Sequence, residues 1–205
     1  MAIRLYSWPR SSGTRVHWAL EELDLPYEYV ELDRASSQHR SADYLAVNPN
    51  GKVPALVDGD ERFFESVAIL LHLAERYGAA RGLWPGGAAA RAEALSWMVW
   101  STTELQAYQP QYAYHGLDTP VSYKPEDRSQ ATADYNRMHF THHLDMIEAR
   151  LHDRDFLMGD FSLVDIPVAA TLRFATDIGT PIEGRPRLHA WLARCIQRPA
   201  LARAR

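Results

Sequence analysis

The chain has 205 residues, 46% of them apolar and 23% charged, with a net charge of −4 when histidine is neutral. That length can bury a sizeable core as one large domain or two small ones. The acidic balance without any Lys/Arg run argues against nucleic acid as a partner, and the single cysteine, Cys195, leaves no internal disulfide and no CxxC redox pair.

Residues 2–6 (Ala-Ile-Arg-Leu-Tyr) alternate like a half-buried strand, following directly on the N-terminus with no apolar leader. Pro9 to Ser12 break the pattern. From Thr14 a helix is expected, with Val16, Ala19, Leu20 and Leu23 on one face and Pro26 at its end. Residues 27–32 read as a second strand, 43–46 as a short helix, 53–57 as a third strand, 58–60 as a hairpin turn and 62–64 as a fourth strand. Residues 66–77 read as a helix with Gly78 as its C-cap. The order β-α-β-α-β-β-α makes residues 1–78 a compact α+β domain. Residues 79–88, rich in Gly and containing a Pro, have the composition of a linker. Residues 89–205 read as an all-helical domain, with helices over 89–115, 125–152, 163–177 and 187–197 and Pro110 kinking or ending the first. No apolar run approaches a membrane span, so a soluble, cytoplasmic protein with no membrane partner is expected.

Three segments of the first domain can carry chemistry. In Asn48-Pro49-Asn50-Gly51-Lys52-Val53-Pro54 a turn runs into Val-Pro at the start of a strand. A cis bond there would turn the N–H and C=O of Val53 outward, to pair with an extended peptide as an added strand; an ordinary edge-strand proline accounts for the dipeptide as well. Glu65-Ser66 opens a helix, whose free N–H groups and partial positive charge attract a carboxylate. Ser66 can add a donor and Glu65 can take an ammonium, although Ser66 as a plain N-cap is the rival reading. Ser11 and Ser12 sit in the turn before the first helix, with Arg15 nearby. A hydroxyl there can donate to a bound thiolate; such a bond, about 1.5–3 kcal/mol, would lower a thiol pKa by roughly one to two units from about 8.5.

Together, in this order and on this topology, these segments resemble the glutathione transferase family over essentially the whole chain. The resemblance implies a thioredoxin-like N-terminal domain that binds glutathione as co-substrate, and a helical C-terminal domain. It implies Val53 and Pro54 pairing with the cysteinyl part, Glu65 and Ser66 holding the γ-glutamyl end, and Lys52 and His39 as further contacts, His39 toward the glycine carboxylate. Ser11 is the favoured activator of the thiol, by alignment with Ser-type bacterial members; Ser12 and Tyr6 are the alternatives. A cysteine mechanism is excluded in this domain.

In the second domain, residues 156–166 match the family's Gly-x-x-Ser/Thr-x-x-Asp capping box: Gly159, Ser162 as cap and Asp165 reaching back to the Ser162 N–H, a structural role. The family's acceptor site lies between the domains, and Trp100, Glu104, Tyr108, Tyr112, Tyr114 and His115 are its candidate lining, suited to a flat hydrophobic electrophile. Ordinary helix core is the rival reading for the tryptophans, and the favoured one for Trp97. Residues 112–124 are expected to form a mobile cover. His139, His142 and His143 are expected to face mostly solvent, since Phe140, Leu144, Ile147 and Leu151 define the core side; no metal is expected. The resemblance further implies a homodimer, joined through the third helix of one subunit and the first helix of the second domain in the other. Transfer of the glutathione thiol to an electrophile is the leading reading. A zeta-like glutathione-dependent isomerase, suggested by Arg10-Ser11-Ser12, and a non-catalytic binding member of the fold are the alternatives.

Overall fold

The alternation of Ile3, Leu5 and Ser7 with Arg4 and Tyr6 becomes β1 (Ile3–Ser7) in the computed structural model, which describes residues 3–204. Strand β1 pairs in parallel with β2 (Tyr27–Glu31) and antiparallel with β3 (Ala55–Asp58), which pairs antiparallel with β4 (Glu61–Phe64), giving the order β2-β1-β3-β4. Because successive strand residues point to opposite faces, Ile3, Leu5 and Ser7 are buried on the face that meets α1 (Gly13–Glu22), which in turn packs on α3 (Ser66–Leu73). Tyr6 points the other way and packs with Tyr44 of α2 (Ala42–Leu45), Leu32 and Ala55. Val16, Ala19, Leu20 and Leu23 form the buried stripe of α1, as their spacing requires.

The later helices are α4 (Ala88–Trp100), α5 (Gln106–Gly116), α6 (Gln130–Arg150), α7 (Asp165–Asp177), α8 (Pro186–Ile196) and α9 (Pro199–Arg203). Helix α7 is apolar on most sides and buried on most sides, with Ile166, Val168, Ala169 and Leu172 inaccessible. The chain forms two compact units, one running to Gly86 and including the segment from Arg198, the other Gly87–Gln197. This differs from the expected second domain of 89–205. The guanidinium of Arg198 forks onto both carboxylate oxygens of Glu22 at 2.6 and 2.7 Å, and Arg203 pairs with Glu21, which ties α9 to α1. No helix among the described residues is long and apolar enough to cross a membrane.

Several other expectations are corrected. The first strand reaches Ser7, and Ala2 lies outside the described residues. The third strand starts at Ala55, leaving Val53 and Pro54 in the approach to it. Gly78 is not a C-cap: its φ is −70°, and the helix widens into a π turn (Ala74–Gly78) and a 3₁₀ turn (Ala79–Arg81) before Gly82, at φ +67°, stops it. The presumed linker is partly packed, since Trp84 is buried and its indole N–H donates to Glu75 at 3.1 Å. A second π turn, Ser101–Leu105, divides the long helix into α4 and α5, and α5 continues through Pro110, where packing along α6 outweighs the proline's missing N–H. Residues 112–116 are therefore helical. The segment after them is tied back to α5 by Tyr123 N to Tyr114 O at 3.0 Å and Ser122 Oγ to Ala113 O at 2.8 Å.

Candidate functional site

The turn from β1 to α1 is tight, with Arg10 in the left-handed region at φ +60°. Ser11 closes it. Its hydroxyl donates to the Trp8 carbonyl at 2.7 Å and accepts from the N–H of Gly13 at 3.1 Å, satisfying one of the leading N–H groups of α1. Ser12 points elsewhere, donating to the Val53 carbonyl at 3.2 Å, 41 residues away. Tyr6 lies on the opposite face of the sheet from Ser7, which is the side facing α1.

The Val53-Pro54 bond is cis. The Val53 carbonyl takes the Ser12 hydroxyl, while the Val53 N–H donates to no other described residue. The preceding turn is built around the Lys52 carbonyl, which accepts from Tyr44 OH at 2.5 Å and from Asn48 Nδ2 at 2.6 Å, while the Lys52 side chain is exposed. Burial pushes the Tyr44 phenol up to about 12, so it stays a donor. Gly51 is required here. Its φ is +57°, and a Cβ would lie 2.9 Å from the Arg40 guanidinium and 3.0 Å from the His39 carbonyl oxygen. This close approach seats the 3₁₀ turn Gln38–Arg40, whose His39 ring meets the Trp8 ring edge-on at 5.4 Å. The Nδ1 of His39 is buried without a partner.

At the start of α3, Glu65 adopts φ +69° with its side chain exposed. A left-handed non-glycine residue costs on the order of 1–3 kcal/mol and is held by its surroundings, often at functional positions. Ser66 is the first helical residue, and no side chain caps α3. Instead its oxygen accepts from Arg15 Nη1 at 3.3 Å, which leaves the hydroxyl proton for another acceptor. Arg15 is 7% exposed, and burial pulls its guanidinium down to about 10, so it is still a cation at neutral pH. A buried cation, a helix N-terminus and an available hydroxyl proton thus lie together at the start of α3, a setting that favours negative charge. In the sequence Arg15 stands only as a neighbour of the serines; its burial beneath Ser66 is a tertiary fact.

In the second unit the aromatic candidates pack among themselves along α5 and α6. Trp100 and Tyr108 both meet His143, at 5.3 and 5.4 Å, and Tyr108 stacks on His139 at 4.6 Å. Tyr112 meets Phe140 at 6.4 Å, Tyr114 and His115 meet Tyr123, and His115 Nδ1 accepts from the Ser129 N–H at 3.1 Å. Trp97 lies against Trp100 and beneath the Arg150 guanidinium. His143 corrects the expectation that the three histidines face solvent. It is 5% exposed, with Glu104 Oε2 at 3.9 Å from its Nε2, and burial holds its pKa below the ordinary histidine value. Four-residue spacing from His139 put both on one helix face, but the wide turn before α5 brings Trp100 and Tyr108 over that face.

The Asp165 carboxylate is fully buried and accepts four donors: the N–H groups of Leu157 and Ser162 at 2.9 Å, the Ser162 hydroxyl at 3.2 Å and Trp191 Nε1 at 2.8 Å. Burial pushes this carboxyl above its usual range against the pull of those donors. Ser162 does not cap α7; its hydroxyl turns onto Asp165 instead.

The family description "Glutathione S-transferase, N-terminal domain" matches residues 1–75, and "Glutathione S-transferase, C-terminal domain" matches 113–199. Glutathione S-transferase GstB of Escherichia coli is 35% identical over 95% of this chain and 94% of its own length. Glutathione S-transferase 3 of Zea mays is 34% identical, over 97% and 90%. Among solved structures, the theta class glutathione S-transferase of Xanthomonas axonopodis pv. citri with glutathione bound superposes with a TM-score of 0.83 at 30% identity, over 99% of this chain and 96% of that one. A glutathione transferase of Burkholderia graminis, with two glutathione molecules bound per subunit, gives 0.85 at 28%, over 99% and 87%. The chain belongs to the glutathione transferase family.

Proposed function

We propose that the protein binds glutathione on its first unit, stabilises the thiolate with Ser11 and transfers it to a hydrophobic electrophile. The observation that carries this is the 3.2 Å bond from Ser12 to the Val53 carbonyl, which holds the serine turn against the segment whose N–H is free to pair with a peptide. The γ-glutamyl carboxylate goes to Ser66 and the start of α3 above Arg15, the ammonium to Glu65, and the glycine carboxylate to His39 and Lys52. The cysteinyl backbone pairs with Val53. Both serine hydroxyls are donated to carbonyls at rest, Ser11 to Trp8 and Ser12 to Val53. Ser11 is preferred because its oxygen accepts from the Gly13 N–H at the start of α1, where the helix N-terminus favours a thiolate, and Tyr6 lies on the far side of the sheet. Rate comes from proximity and from a stabilised thiolate rather than from acid-base steps. The aromatic groups around Trp100 and Tyr108 offer a flat apolar electrophile stacking partners.

The protein works as a homodimer in the cytoplasm, where glutathione keeps thiols reduced. Exposed Leu95 and Val99 on α4, and Tyr135, Met138 and Met146 on α6, support the dimer. Titration calorimetry with glutathione and with Cys-Gly, together with conjugation to an activated aryl halide, tests the reading. Glutathione is expected to bind at least about tenfold more tightly than the dipeptide, in line with a charge-assisted hydrogen bond at Ser66. Equal binding of the two, or no conjugation above the uncatalysed rate, overturns it.

A further inference from the structure

Ser7 has no part in the site as described so far. It is the last residue of β1, 1% exposed, and aimed at the first residue of α1. A Cβ on Gly13 would lie 1.8 Å from Ser7 Oγ, so the glycine leaves room for this hydroxyl; Gly13 has no positive φ that would demand glycine for its backbone.

The Ser7 hydroxyl, the Ser11 hydroxyl and the Trp8 carbonyl oxygen form a triangle. Ser11 to Trp8 is 2.7 Å, Ser7 to Ser11 is 3.1 Å and Ser7 to Trp8 is 3.3 Å. Two hydroxyl protons serve three edges. A serine hydroxyl has one proton to give, and Ser11 gives it to Trp8 at rest. To donate to a thiolate Ser11 must withdraw it, leaving a part-buried carbonyl short of its closest donor, which is unfavourable unless another group replaces it. Ser7 is already within reach of the same oxygen.

We propose that Ser7 is a positioning residue for the thiolate site: it takes over the Trp8 carbonyl when Ser11 turns its proton to the sulfur. No proton leaves either serine; each hydroxyl only rotates between acceptors. The proposal rests on the reading of Ser11 as the thiolate donor.

The test measures the pKa of bound glutathione by the ultraviolet absorbance of its thiolate, in the native protein, Ser7→Ala, Ser11→Ala and the double variant. Ser7→Ala is expected to raise it by about half a unit to one unit, a roughly three- to tenfold smaller thiolate-to-thiol ratio. Binding of S-methylglutathione, which has no thiol to ionise, is expected to stay native. In the Ser11→Ala background, Ser7→Ala is expected to add nothing. Should Ser7→Ala not fold, Ser7→Gly reads the same shift. A native thiol pKa in Ser7→Ala beside a raised one in Ser11→Ala overturns the role of Ser7 alone. So does an equal rise from Ser7→Ala in both backgrounds, or a matching loss of S-methylglutathione binding. A native pKa in Ser11→Ala overturns the role of Ser11 itself, and that of Ser7 with it.

Discussion

Arg15 Nη1 donates to Ser66 Oγ at 3.3 Å, joining α1 to the first residue of α3 across 51 positions of sequence. The arginine occupies one lone pair of the serine and no side chain caps α3, which leaves the Ser66 hydroxyl proton available to the γ-glutamyl carboxylate we propose for it. Ser66→Ala is expected to weaken glutathione binding by about tenfold or more, the worth of a hydrogen bond to a charged group. Thermal stability is expected to fall by no more than the worth of the lost Arg15 bond, about 1.5–3 kcal/mol, because α3 loses no cap. Calorimetry and a melting curve separate these effects; a large drop in melting temperature with unchanged affinity would assign Ser66 to the fold instead.

Asp165 is where stability is most exposed to one substitution. Asp165→Ala leaves four buried donors without an acceptor, and is expected to cost at least about 3 kcal/mol. Asp165→Asn keeps one acceptor oxygen but turns an NH₂ toward the donors, and is expected to fall between the two. Urea unfolding reads the difference as a shift in midpoint. A midpoint within error of the native one for Asp165→Ala would remove the carboxylate from the folding core.

His143 gives the second unit a dependence on pH. Burial favours its neutral ring, Glu104 pulls its pKa upward, and His142 and His139 push it down; the net displacement is downward. A group with a depressed folded pKa contributes stability that is present above the unfolded value, about 6.5 for histidine, and lost as pH falls through the folded value. Unfolding midpoints are therefore expected to decline from pH 7 toward pH 5, and to decline less in His143→Phe. Parallel declines in the two proteins would place the titrating group elsewhere.

Much of this was legible in the sequence because the signals were local. The period of two in residues 3–6 and the four-residue stripe of Val16, Ala19, Leu20 and Leu23 fixed β1 and α1 without tertiary help. What escaped depended on packing between distant segments. Gly78 looked like a cap, but the chain after it found a widened turn and stopped only at Gly82. Pro110 looked like a break, but α6 held the helix through it. His143 looked solvent-facing because periodicity alone gives a helix one apolar side, whereas Trp100 and Tyr108 cover another. Ser11, Ser12, Val53 and Ser66 could be named as chemistry-bearing residues, but nothing local to Ser12 revealed that its hydroxyl is committed to Val53.

The central claim is that Ser11 stabilises a bound thiolate. Its most direct test is the thiolate absorbance of the glutathione complex followed against pH, in the native protein and in Ser11→Ala. The native complex is expected to ionise about one to two units below the ordinary thiol value of about 8.5, and Ser11→Ala to return most of that shift. A native complex that ionises like free glutathione, or a Ser11→Ala complex that keeps the native value, would contradict the account.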